Sequence, residues 1–166
     1  MKKNPVHTLD NQSDELFEFD VFSITSTESI YRILFVLNAE LNIDLEQTDL
    51  LEYKLKNDEE FYFPLYSYNH LDLNLEFHLL PNQTTFQPPQ KNTANFDLFG
   101  GNIEQNARLI PELENTDYFL ILKGVNRFSH NHSVYDAIKH IKDFILVREL
   151  FLNDLNDKKI KYNLLF

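Results

Sequence analysis

Leu71-Asp72-Leu73-Asn74-Leu75-Glu76-Phe77-His78-Leu79 alternates apolar and polar residues without a break. Successive side chains on a strand point to opposite faces, so this run predicts a strand with one dry and one wet face. A sheet with a solvated face is typically antiparallel. The residues just upstream fit that reading. Asp49 to Lys56 is a short candidate strand, Asn57-Asp58 a turn, Phe61 to Tyr68 an aromatic strand, and Asn69-His70 the next turn. The expectation is an antiparallel meander from Asp49 to Leu79.

Further upstream, Leu16 to Ile24 is rich in Phe, Val and Ile on both faces, as for a strand inside a sheet. Thr25-Ser26-Thr27-Glu28 matches a capping box, with Thr25 as N-cap and Glu28 at the third helical position. The helix it starts would run to Asn42. Ile30, Ile33, Leu34, Leu37 and Leu41 form its apolar stripe, and Glu28 can pair with Arg32. Residues 1–13 are polar and aperiodic and are expected to be a disordered tail.

Downstream, residues 81–108 read as one long polar loop. It carries Pro88-Pro89 and an apolar island, Phe96-Asp97-Leu98-Phe99. Phe96, Leu98 and Phe99 either dock on the chain's own core or form a hook for a partner. Thr116 to Lys123 is expected to be a central strand ended by Gly124. Ser133 is placed as the cap of a second helix with Val134, Ile138, Ile141 and Ile145 as its stripe. Phe144 to Leu152 is a last strand, Asp154 to Lys161 a charged segment, and Asn163-Leu164-Leu165-Phe166 should pack back on the domain. The order is β-α-β-β-β-loop-β-α-β. It predicts an α+β, two-layer sandwich: a mixed, mostly antiparallel sheet with two helices on one face, as a single domain over residues 14–166.

Composition narrows the chemistry. The chain has no Cys, which excludes disulfides, thiolate nucleophiles and cysteine-based metal sites. It has three Gly, with neither a P-loop nor a dinucleotide fingerprint. Its net charge of −11 opposes nucleic-acid binding and suits solubility, a basic protein partner or a cation. Met1-Lys2-Lys3 is followed by no apolar run, and nothing approaches the roughly 20 apolar residues of a membrane span. A cytoplasmic protein without a cofactor is the expectation.

Four polar groupings are candidates for chemistry, each with a plainer explanation. His130-Asn131-His132 is a close His pair, placed in a loop and without a neighbouring acid. His70, Asp72, Asn74, Glu76 and His78 share one strand face and suit cation or acid–base work, or simply a solvated face. Asp136, His140 and Asp143 line the polar side of the second helix. Lys158, Lys159 and Lys161 form a short basic cluster that reads as solvated surface. No catalytic residue and no metal site is assigned.

Leu109-Ile110-Pro111-Glu112-Leu113-Glu114-Asn115-Thr116-Asp117-Tyr118 is the most distinctive segment. Pro111 holds Ile110 extended and suits the start of one tight turn. Two roles stand open for Glu112 and Asp117. They accept backbone N–H bonds and fix how the chain enters the sheet, or they form an acidic rim beside Tyr118 that faces a ligand or partner.

Ile110-Pro111-Glu112-Leu113-Glu114-Asn115-Thr116-Asp117-Tyr118 resembles the motif that names the IPExxxVDY family of Bacteroidota proteins, with Thr116 where the name has Val. Both residues are β-branched and compatible with strand entry. The likeness extends to Ser29-Ile30-Tyr31-Arg32, Leu37-Asn38, the strand after the motif and the closing Asn163-Leu164-Leu165-Phe166. It implies a small cytoplasmic protein and supplies no catalytic residues to carry over.

The functional expectation is a non-enzymatic protein-interaction or adaptor module that uses the 81–108 loop, Glu112 and Asp117. One alternative is a small-ligand binder or enzyme using carboxylates with His78 or Tyr118. Another is an acidic mimic that covers a basic protein surface.

Overall fold

The computed structural model describes residues 19–54, 60–86, 105–151 and 164. The tail at 1–13, the turn at Asn57-Asp58, the Phe96–Phe99 island, the Asp154–Lys161 segment and most of the closing apolar run lie outside the described residues.

Among the described residues, two helices and eight strands follow in the order β1 (Phe19–Thr25), α1 (Ile30–Leu41), β2 (Glu46–Lys54), β3 (Glu60–His70), β4 (Leu75–Pro81), β5 (Gln83–Phe86), β6 (Gln105–Arg108), β7 (Tyr118–Lys123), α2 (Arg127–Ile138) and β8 (Leu146–Leu150). Six strands form one open sheet in the order β2-β3-β4-β7-β1-β8, and β5 pairs with β6 alone. Among the described residues every pairing is antiparallel. β1 lies between β7 and β8, so those two run parallel across it and α2 connects them as a split βαβ unit. The architecture is the α+β sandwich expected from the sequence.

β7 sits in the middle of the sheet and is apolar on both sides. Tyr118, Leu120 and Leu122 face the layer that holds Ile33, Val36 and Leu37 of α1 and Val134 and Ile138 of α2. Phe119 and Ile121 face the other way, against Phe61, Phe63, Leu109, Ile110 and Leu164. The continuous run Tyr-Phe-Leu-Ile-Leu is what a strand buried on both faces requires. Phe119 is fully buried, and truncating such a ring to Ala costs roughly 3–5 kcal/mol.

Several local expectations are corrected. α1 begins at Ile30 behind Ser29, not behind Thr25. The Thr25 hydroxyl instead donates to Asn115 O, and Ser26 Oγ accepts from Glu28 N at 3.2 Å. Long-range partners outcompete the local capping box here. Arg32 pairs with Asp143 at 2.9 Å, not with Glu28. α1 ends at Asn42, whose left-handed φ of 52° turns the following Ile43 N–H back onto Asn38 O at 3.1 Å.

The alternating run that opened the sequence reading is split. Leu71–Leu73 forms a 3-10 turn and Asn74 takes φ 50°, so β4 starts only at Leu75. His70, Asp72 and Asn74 therefore leave the row, and only Glu76 and His78 share a face of β4. The 81–108 segment is not one loop: its two ends pair as β5 and β6. α2 starts six residues before the expected cap, which places Ser133 and the His130–His132 pair inside the helix. The helix stops at Ile138, before His140 and Asp143, and Ile145 is exposed rather than part of its stripe.

Gly124 has φ +114°, a conformation only glycine adopts without strain. A Cβ there would lie 2.3 Å from Asn74 O. This close approach brings the β3–β4 turn against the β7–α2 turn, and Asn126 Nδ2 completes it by donating to Leu73 O at 2.7 Å.

Candidate functional site

The Leu109–Tyr118 segment is held from within by Asn82, which lies between β4 and β5 and has no solvent exposure. Asn82 N donates to Asp117 O at 2.8 Å, and Leu109 N donates to Asn82 O at 2.8 Å. Its backbone thus spans both ends of the segment. Its side chain fills the middle. Ile110 N donates to Oδ1 at 2.8 Å, and Nδ2 faces Thr116 O at 2.9 Å, Leu113 O at 3.1 Å and Ile110 O at 3.3 Å. An amide has two hydrogens, so the three carbonyls share them, with Thr116 and Leu113 nearest.

The segment makes two successive turns rather than the single one expected. Leu113 N donates to Ile110 O, with Pro111 at the turn position that its fixed φ favours, and Thr116 N donates to Leu113 O. Thr116 is buried.

Asp117 and Tyr118 then tie the segment to the start of α1. Asp117 N donates to Ile24 O at 2.9 Å. Its carboxylate Oδ2 accepts from Ser26 N at 2.9 Å. The Tyr118 hydroxyl donates to Glu28 O at 2.8 Å, and burial, then the Asp117 charge, push its pKa up. Ser26 Oγ also donates to Asp143 O at 2.7 Å, which joins the α2–β8 connection to the same knot. Asp117 and Tyr118 act here as anchors. Glu112 is exposed and has no hydrogen-bond or ion-pair partner among the described residues. Phe96, Leu98 and Phe99 are outside those residues, so their place relative to this segment is not described.

A second polar arrangement lies on the sheet face opposite the helices. Ser67 of β3 and His78 of β4 are directly opposed, and Ser67 Oγ is 2.8 Å from His78 Nδ1. His78 Nε2 is 3.4 Å from Glu76 Oε2, two residues back on the same strand. The Glu76 carboxylate acts on His78 both as a hydrogen-bond partner and as a charge. Thr48, the bulged residue of β2, donates to Ser67 Oγ at 3.0 Å. Lys123 of β7 is the cross-strand neighbour of Glu76. Burial, reinforced by the Lys123 charge, lowers the His78 pKa, and Glu76 only partly opposes this. Burial likewise lowers the Lys123 pKa. A serine beside a neutral imidazole whose far nitrogen faces a carboxylate is a base-assisted hydroxyl. The sequence drew attention to Glu76 and His78. Ser67 carried no signal because cross-strand register is not written in spacing along one chain.

A third polar group joins β1, β8 and α2. Asn131 Nδ2 donates to Glu149 Oε1 at 2.9 Å. Burial raises the Asp20 pKa; Asn131 and Arg127 oppose the rise, and Glu149 adds to it. Among the described residues, no group of three or more His, Asp or Glu is placed to hold a metal ion. His132 and Asp136 meet at 3.2 Å as an exposed helical pair. Among the described residues, no helix is long and apolar enough to cross a membrane.

Where the two turns meet at Gly124, large apolar side chains stand in solvent. Leu71 is 80% exposed, Val125 68% and Phe128 74%. The buried Arg127 guanidinium lies 3.9 Å from the centre of the Phe128 ring. Tyr31 and Phe35 of α1 are also exposed, with Arg32 over Phe35.

No protein-family model matches the chain, and no curated protein matches it.

Proposed function

We propose that this chain is a cytoplasmic protein-interaction or adaptor module of the IPExxxVDY type. The observation that carries the reading is three exposed apolar side chains: Leu71 and Val125 on two turns that are locked together, and Phe128 at the start of α2 that follows the second turn. Clusters of exposed apolar side chains mark interaction surfaces, and aromatic residues with Arg are the usual energetic anchors. The Gly124–Asn74 approach and the Asn126 bond hold the trio in place before any partner arrives, which lowers the entropy cost of binding. With a net charge of −11, the fitting partner is a protein with an apolar socket and a basic rim.

The test is affinity purification of the tagged chain from its native cells with cross-linking, beside a Leu71→Ser, Val125→Ser, Phe128→Ser variant. The reading expects one stoichiometric partner that is lost in the variant while the thermal midpoint is kept, and binding that weakens with salt. The absence of a stoichiometric partner, or equal capture by the variant, would refute it.

A further inference from the structure

We propose that Ser67, His78 and Glu76 form a base-assisted hydroxyl site that accepts the acyl group of a small activated ester. The site lies on the sheet face away from the helices. It does not depend on the docking reading, because the variant that tests docking leaves all three residues in place.

The geometry assigns each role. His78 Nε2 lies 3.4 Å from the Glu76 carboxylate. A bare lone pair facing that negative charge is repelled, so the proton sits on Nε2 and the lone pair on Nδ1. Nδ1 is then the acceptor for the Ser67 hydroxyl at 2.8 Å. Thr48 Oγ1 lies 3.0 Å from Ser67 Oγ and 3.4 Å from Leu65 O; its single hydrogen favours the nearer Ser67 Oγ, which leaves the Ser67 hydrogen directed at His78. The order is hydroxyl, imidazole, carboxylate, as in the Ser–His–acid hydrolases, but with the two ring nitrogens exchanged. On a merely solvated strand face the imidazole would be open to water. The His78 side chain is 13% exposed, whereas that of Glu76 is 49% exposed.

Ser67 Oγ bonds the ester carbonyl carbon while its proton moves to His78 Nδ1. The carbonyl electron pair moves onto oxygen, and the Lys123 charge that already acts on His78 stabilises it. Collapse of this adduct breaks the bond to the leaving alkoxide, which takes the proton from His78 and departs as the alcohol. Water adds to the acyl-serine by the same route and releases the carboxylic acid.

A fluorophosphonate probe reports on the hydroxyl without requiring turnover. The full chain is treated with the probe, and adducts are located by intact mass and peptide mapping. The proposal expects one adduct on Ser67, formed about 100-fold more slowly in His78→Gln. In the unaltered chain the rate should rise with a single ionisation below pH 6.5, the ordinary value for His. Glu76→Gln, at a half-exposed position, should fold and slow labelling about tenfold. No adduct on Ser67, a rate that simply tracks hydroxide, or labelling unchanged in Glu76→Gln would each overturn it. The pH profile and Glu76→Gln decide the matter even if His78→Gln does not fold.

Discussion

Asn82 and Ile110, 28 residues apart in the chain, approach through both backbone groups of Ile110: Ile110 N donates to Asn82 Oδ1 at 2.8 Å, and Asn82 Nδ2 lies 3.3 Å from Ile110 O. One side chain thereby replaces the strand partner that the 109–117 turns lack. Buried backbone groups must be paired somewhere, and here an amide supplies both a donor and an acceptor.

Asn82→Ala removes those bonds and leaves buried N–H and C=O groups unpaired. The expected loss is about 3 kcal/mol or more, since each orphaned group costs roughly 1–3 kcal/mol. Urea denaturation measures it. Asn82→Asp keeps the acceptor for Ile110 N but presents oxygen to three carbonyls, so it should be no better than Ala.

Asp117→Ala removes the acceptor for Ser26 N. A loss of about 1–2 kcal/mol is expected, with Asp117→Asn closer to the parent because it retains a side-chain oxygen. Hydrogen exchange at the Ser26 amide should accelerate in the Ala variant beyond the global change. Equal protection in both would remove Asp117 from its anchoring role.

Gly124→Ala places a methyl group 2.3 Å from Asn74 O at φ +114°. Strain and clash together should cost at least about 1–3 kcal/mol. Because the two turns carry Leu71 and Val125 and lead into Phe128 of α2, chemical shifts of those residues should move together in the variant.

The pH dependence has a defined sign. The folded-state pKa of His78 is lowered, so between that value and 6.5 the unfolded chain binds the extra proton. Stability therefore rises with pH through this window and falls on acidification. The raised Asp20 pKa acts oppositely at lower pH: stability falls as pH rises from 3.8 to the folded value. Asp20→Asn should raise the thermal midpoint at pH 7, with the gain shrinking as pH approaches 4. Thermal scans from pH 4 to 8 on the parent chain, Asp20→Asn and His78→Gln test the two claims.

Arg32→Ala should leave the thermal midpoint almost unchanged. Its pair with Asp143 is short, but the Arg32 side chain is 47% exposed, and solvent weakens such bridges. A double-mutant cycle with Asp143→Ala isolates the coupling.

The sheet was legible where periodicity is strong. Tyr118–Lys123 reads as a doubly buried strand, and its neighbours confirm it on both faces. The break at Leu71–Asn74 was not legible, because 3-10 turns and strands both tolerate alternating Leu and polar residues. Nor was α2, whose polar start, Arg127-Phe128-Ser129-His130-Asn131-His132, has no helical apolar stripe. Its first turns carry the buried Arg127, whose charge acts on Asp20 of β1, and Asn131, which donates to Glu149 of β8; both relations are long-range.

The sequence by itself determined the class of fold, the order of the main strands and helices, and the conspicuousness of Leu109–Tyr118. Those follow from local pattern: the alternation of burial, the stiffness of Pro and the permissiveness of Gly. Only the tertiary structure decided that Asn82 is the hub of that segment, that Asp117 faces Ser26, and that Ser67 meets His78. Hydrogen bonds between distant residues are selected by strand register and by the need to pair every buried polar group, and neither is encoded in the spacing of any single stretch of chain.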